Sequence, residues 1–243
     1  MPEASTIQSA DIKERLATVR QRVEAACERA GRSADDVHLI AISKTFPLAV
    51  SKAAYDVGLK DFGENRAGDL TEKAKAWPGE HLGGDIRWHM VGHLQRNKAK
   101  DIVEHADVFH ALDSPRLAKE LEKRAGREGR VLRCFAQVNI SGEDSKYGLN
   151  PEKTHAFLDS LAKFSHIHVV GLMGMASFVE DPEDVRHQFQ LLRGLRDRYD
   201  DSQNTSVDLD FLSMGMSNDF EVAIEEGATH IRLGTAIFGP RDY

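Results

Sequence analysis

Apolar positions along the chain fall into two alternating rhythms. Ile12, Leu16, Val19, Val23 and Ala26 step by four and three residues, drawing one apolar stripe down a helix that Gly31 ends. Val37–Ser43 follows as a short apolar run rich in β-branched residues, the pattern of a strand buried on both faces. Pro47 then opens a helix of about ten residues that stops at Gly58.

The alternation continues to the end of the chain. Strands are predicted at 61–65, 86–92, 108–113, 133–140, 168–175, 210–216 and 230–238. Helical patterns lie between them, near 66–76, 95–105, 115–126, 151–164, 182–199 and 218–226. Pro115, Pro151 and Pro182 stand near helix starts, where a missing N–H does no harm. Strands alternating with helices imply a parallel sheet. Eight such units predict an α/β fold, a single closed (β/α)8 TIM barrel whose extra N-terminal helix covers one end. A doubly wound open sheet is the alternative and suits five or six strands better. No linker or low-complexity segment interrupts the series. A single domain over residues 1–243 is expected, with 1–8 a flexible N-terminus.

Composition narrows the function without choosing it. Acidic residues outnumber basic ones 39 to 32, for a net charge of -7. That balance argues against a general nucleic-acid or anionic-membrane surface. No apolar stretch is long enough to span a bilayer. Cys27 and Cys134 form no disulfide framework and no C-x-x-C motif. The first residues lack the apolar core of a signal peptide, so a cytoplasmic location is expected.

Barrel sites form at the C-terminal ends of the strands. The first predicted strand ends in Ser43-Lys44-Thr45. A lysine where an apolar strand meets its loop can be held partly desolvated, which favours the neutral amine and attack on an aldehyde. An ion-paired rim lysine is the competing reading. In the last predicted strand Ile231 and Leu233 share one face, so Arg232 shares the other with Gly234. The arginine then projects into the barrel mouth or snorkels to its edge. Gly234-Thr235 offers unhindered amides and a hydroxyl suited to phosphate oxygens, and Ser217 or Asn218 is a natural N-cap shortly before. An ordinary cap and turn is the alternative.

Other signals are weaker. Gly234 and Gly239 have Walker-like spacing, but Pro240-Arg241 follows, so there is no P-loop. His89 and His93 have no carboxylate partner that spacing identifies, and no metal site is expected. Asn65, ending the second strand, offers an amide to a ligand or simply makes a turn.

Six segments then occur in a telling order: Leu39–Thr45, Phe62–Asn65, Trp88–Lys98, Val138–Lys146, Leu212–Ser217 and Arg232–Gly239. Together they resemble the pyridoxal phosphate homeostasis protein family, also called the YggS/PROSC family, over roughly residues 10–243. The resemblance implies a barrel similar to the N-terminal domain of alanine racemase, carrying pyridoxal 5'-phosphate (PLP). It implies that Lys44 holds PLP as a lysine aldimine and that Arg232 faces the pyridine nitrogen. Ser217, Gly234 and Thr235 fall in its phosphate-binding segments, with Ser213 and Met214 alongside. Asn65 and His89 are implied neighbours of the ring. Phe46 and Gly174-Met175 depart from the usual pattern and bear on the shape of the mouth.

An arginine cation facing the ring nitrogen disfavours its protonation, which makes the ring a weaker electron sink. Racemases with a comparable arginine draw a second base, a tyrosine, from a separate C-terminal β domain. Here the sequence ends at Tyr243 soon after the eighth strand, and neither Tyr147 nor Tyr243 has that catalytic context. The expectation is therefore not an enzyme. It is a PLP carrier or buffer in intracellular PLP homeostasis, a monomer that passes PLP to apo PLP-dependent enzymes. Lys146, in the loop 142–148, is either a transfer amine or a solvated loop lysine. A single-domain PLP-dependent amino-acid racemase is the alternative.

Overall fold

In the computed structural model, residues 9–79, 84–200, 202 and 204–240 are described. The expected flexible N-terminus, residues 1–8, lies outside them, as does Tyr243. Eight parallel strands pair in sequence order, and the last pairs with the first: β1 (His38–Ile42), β2 (Asp61–Glu64), β3 (Arg87–Met90), β4 (Val108–Leu112), β5 (Leu132–Val138), β6 (Ile167–Gly174), β7 (Val207–Ser213) and β8 (His230–Leu233). The result is a closed (β/α)8 barrel. All five residues of β4 and all four of β2 and β8 are buried, including the polar side chains of Asp61, Glu64, His110, His230 and Arg232.

Helices surround the strands: α1 (Ser9–Ala30), α2 (Leu48–Asp56), α3 (Ala67–Ala76), α4 (Ala99–His105), α5 (Pro115–Arg127), α6 (Thr154–Asp159), α7 (Arg186–Asp197), α8 (Phe220–Glu225) and α9 (Thr235–Phe238). α4, α6 and α7 are each entered through a short 3₁₀ turn. The predicted stripe on α1 is buried, from Ile12 to Ala26. α1 packs against α2, α8 and α9, bracing the β8–β1 side of the ring, and Arg22 pairs with Glu221 of α8 at 2.8 Å. Its Leu16 and Val23 also face a cleft at the strand starts, beside Asp61 and Arg87.

Several boundaries differ from the sequence reading, two of them for a visible physical reason. β7 begins at Val207, three residues before the predicted start, because Asp208 and Asp210 alternate outward and make the strand look like a polar loop. β8 stops at Leu233. The apolar residues Ile237 and Phe238, read as strand, belong to the short helix α9 that starts after Gly234.

Candidate functional site

Ser43 and Lys44 carry the chain beyond β1, and side-chain alternation sends them to opposite sides of the barrel wall. Ser43 faces outward. Its hydroxyl donates to Glu64 Oε1 at 2.6 Å, while Lys73 of α3 donates to the same oxygen at 2.5 Å and to the Ser43 carbonyl at 2.8 Å. The pair is buried: the Glu64 side chain is fully shielded from water, and its Oε2 has no hydrogen-bond partner among the described residues. Lys44 faces inward and is half-buried, lining a cavity of about 450 Å³ at the C-terminal end of the barrel. That volume suits a cofactor-sized ligand.

The backbone turns sharply after the amine. Thr45 adopts φ 72°, in the left-handed region that a β-branched side chain occupies only under strain. Phe46 then packs its ring against Phe238 of α9 at 5.2 Å between centroids. Asn65 lines the cavity just past β2, held by a close approach of the next loop. A Cβ on Gly92 would lie 2.1 Å from the Asn65 carbonyl oxygen, so only glycine fits there.

On β8, the strand paired with β1, Arg232 points inward into the same cavity and is only 4% exposed. Its Nη1 donates to Ser213 Oγ at 2.7 Å and its Nη2 to the Gly174 carbonyl at 2.9 Å. The guanidinium also lines the cavity. Burial pushes the Arg232 pKa down to about 10, against the attraction of the Asp219 carboxylate, so the group stays cationic at neutral pH. Burial raises the pKa of Asp219 in turn, while the Met216 amide, donating to its Oδ1 at 2.6 Å, lowers it.

The loop after β7 and the start of α9 close the remaining side. Gly215 sits at φ 93°, and a Cβ there would meet Ala223 Cβ at 2.7 Å. Ser217 Oγ accepts the Ala236 N–H at 3.3 Å and so ties this loop to α9. Gly234 and Thr235 open α9, where first-turn amides lack intrahelical acceptors. Asp219, rather than Ser217 or Asn218, stands at the N-cap of α8. The amides of Asp219 and Phe220 both turn back to the Met216 carbonyl, and this extra turn delays the helix. Asn218 instead donates to the Val179 carbonyl at 3.0 Å.

Of the nine residues singled out from sequence, Lys44, Asn65, Ser217, Arg232, Gly234 and Thr235 line this one cavity. Ser213 and Met214 are fully buried behind it, Ser213 in contact with Arg232. His89 does not line it. As an inward residue of β3 it lies below Val91, the β3-side residue that does reach the cavity, and its ring is held by two partners. Nε2 meets Asp61 Oδ1 at 2.9 Å and Nδ1 meets His110 Nε2 at 2.9 Å. His93 pairs with Asp113 at 3.3 Å, so both histidines find carboxylates that sequence spacing does not reveal. Among the described residues no cluster of His, Cys, Asp or Glu is arranged to hold a metal ion.

Lys146 donates to Glu143 at 2.6 Å and to the Ala176 carbonyl at 3.3 Å, which ties it to neighbouring loops outside the cavity lining. Tyr147 stacks on His93 at 3.9 Å between ring centroids, and Phe178 stands 90% exposed at the same rim. Sequence reasoning missed Asp219, Gln137 and Phe178 as lining residues and His110 behind the cavity. Phe178 and Asp219 lie in loops that carry no periodic signal, and a glutamine or histidine inside an apolar run reads as strand filler.

Residues 11–242 match the family model described as alanine racemase, N-terminal domain. A protein of Aquifex aeolicus named pyridoxal phosphate homeostasis protein is 43% identical over 230 residues, covering 95% of this chain and 98% of that protein. The human protein of the same name is 38% identical, over 94% of this chain and 86% of its own length. Among solved structures, PipY of Synechococcus elongatus with PLP bound superimposes with a TM-score of 0.80 at 35% identity, covering 94% of this chain and all of PipY. No helix among the described residues is long and apolar enough to cross a membrane.

Proposed function

The chain belongs to the pyridoxal phosphate homeostasis protein family, and from that premise we propose that it binds PLP in the cavity between Lys44 and Arg232 and serves intracellular PLP homeostasis as a carrier or buffer. The observation that carries this reading is an amine and a buried cation, from the paired strands β1 and β8, lining one cavity of cofactor size. The donor set fits the group. Bound PLP brings an aldehyde that is electrophilic toward primary amines, on a phosphorylated pyridine ring. Lys44 supplies the amine. Ser217, Thr235 and the Gly234 amide take the phosphate oxygens, and Asn65 donates its side-chain amide at the ring edge. Ser213 and Met214 support this wall from behind, and His89 acts a layer deeper.

Arg232 decides the electronics. A guanidinium donates and cannot accept, so the ligand atom it faces must be an acceptor, as an unprotonated pyridine nitrogen is. A ring held unprotonated is a poor electron sink, which favours holding PLP over turning over amino acids. Tyr147, stacked on His93 at the exposed rim, is not placed like a buried general base. In this reading the protein works in the cytoplasm as a monomer, without nucleic acid or membrane, and hands PLP to apo-enzymes.

Borohydride reduction with PLP, followed by peptide mapping, tests the site. A pyridoxyl adduct on Lys44 that Lys44→Ala abolishes is the expected result, and an adduct mapping only elsewhere overturns the assignment. A racemase reading predicts rapid deuterium uptake at Cα of amino acids from heavy water. Such exchange would sink the carrier reading.

A further inference from the structure

The bore of a (β/α)8 barrel is ordinarily packed with branched apolar side chains. Here a line of polar groups crosses it. Arg87 grips Asp61 with two hydrogen bonds of 2.6 Å at the N-terminal strand ends. Asp61 meets His89 Nε2 at 2.9 Å, His89 Nδ1 meets His110 Nε2 at 2.9 Å, and His110 Nδ1 meets Ser213 Oγ at 2.9 Å. Ser213 then accepts from Arg232 at 2.7 Å, at the cavity. The line joins β2, β3 and β4 to β7 and β8, and His110 and Ser213 are both fully buried.

Among the described residues each ring nitrogen meets one partner, which sets the direction of the hydrogen bonds. Arg232 only donates, so Ser213 Oγ must accept from it. The Ser213 hydroxyl hydrogen then has one remaining neighbour, His110 Nδ1, and donates to it. That leaves the His110 proton on Nε2, donating to His89 Nδ1. The His89 proton is on Nε2 and donates to Asp61. Asp61 ends the line as a carboxylate: burial alone would raise its pKa, but the hydrogen bonds from His89 and Arg87 hold it well below the usual range. The reverse sense would have His110 donate to Ser213 as well. The buried hydroxyl hydrogen would then have no acceptor among the described residues, a costly arrangement.

We propose that His110, with His89 and Asp61, is a positioning residue for Arg232: the oriented line fixes Ser213 as an acceptor and so aims the guanidinium as a donor into the PLP cavity. The inference rests on the PLP reading for its ligand but not for its geometry. Donors follow one another from Arg232 to Asp61, a cation at one end and an anion at the other. Ser213 cannot turn its hydrogen toward the guanidinium, because His110 takes it. The Gly174 carbonyl holds the second Nη, and the remaining edge is left for the ligand.

Two measurements test this. Histidine-selective ¹⁵N NMR on the full-length wild-type protein reads the tautomers without any ligand. The expected result is Nε2–H for both His89 and His110; a proton on His110 Nδ1 overturns the orientation. PLP affinity of variants then reads the role. Ser213→Ala and His110→Phe, the latter keeping the stack on Phe135 at 4.4 Å, are each expected to weaken PLP binding about tenfold, as loss of support for a charged hydrogen bond does. Ser213→Thr, which keeps the hydroxyl, should restore binding to within about threefold. Affinities within about twofold of wild type in both folded variants would overturn the positioning role. If Lys44 in the wild type takes no pyridoxyl group, the PLP reading fails instead, while the tautomer result stands or falls alone.

Discussion

Outside the barrel wall, Lys73, Glu64 and Ser43 form a compact knot between β2 and α3. Inside it, Asp61, His89, His110, Ser213 and Arg232 form a line across the bore. Both are buried and both touch a residue of the cavity or its immediate neighbour. The outer knot brings two opposite charges into contact and closes on itself, fixing where the end of β1 lies. The inner line keeps its formal charges at the two ends and passes orientation through neutral rings. Burying charge is expensive unless it is paired at once. A long buried connection is therefore built from dipoles, a short brace from ions. The cavity is held in place from outside and aimed from inside.

The largest expected effect breaks the outer knot. Glu64→Ala strands the Lys73 ammonium in a buried site and should cost about 3–5 kcal/mol, measured by urea unfolding. The folded fraction should still take the pyridoxyl group on Lys44. Replacing both partners with apolar residues, Glu64→Leu with Lys73→Met, should recover most of that loss, because neither charge is then left alone. A variant that kept its stability but lost PLP affinity would erase the distinction between the two assemblies.

Acid sharpens the comparison from the other side. Burial is the main cause that lowers the pKa values of His110 and His38, and it brings His230 to about 2. The unfolded chain takes up protons below about pH 6.5 that these folded rings refuse. Stability is therefore fully present above that pH and falls as the pH drops through it, by about 1 kcal/mol per pH unit for each deeply buried ring. Asp61 adds a second loss only below about pH 4, where the unfolded carboxylate begins to protonate. In His110→Phe the first limb should be shallower, as read by chemical unfolding from pH 7 to 5. An unchanged limb would mean the ring is not held neutral.

The smallest expected effect lies at Thr45. Asparagine tolerates a positive φ better than a β-branched residue, so Thr45→Asn should stabilise the fold by about 1 kcal/mol, seen as a higher melting temperature.

These same assemblies mark how far the residues alone could be read. Strands buried on both faces announce themselves as apolar runs, and Lys44 and Arg232 stand out because each interrupts such a run where a barrel puts its site. β7 was harder, since Asp208 and Asp210 in its first half face water. The knot and the line were not legible at all. Ser213 and His110 are 103 positions apart, and neither has a local feature that names the other. His89 sits in a segment that resembles a ligand-binding one, yet it is an inward residue one layer below the cavity, and its ring meets Asp61 and His110 instead.

The ring of strands closes between β8 and β1, with Arg232 paired to Ile40 and Phe238 packed on Phe46. The seam and the cavity are thus one place. Lys44 follows the first strand and Arg232 lies on the eighth, so the two lining groups come together only once all eight strands are in place. Opening the ring at that seam, even with seven strands still paired, would dismantle the site. Whatever occupies the cavity therefore works as a latch on the whole ring, and its binding energy adds to the stability of closure itself.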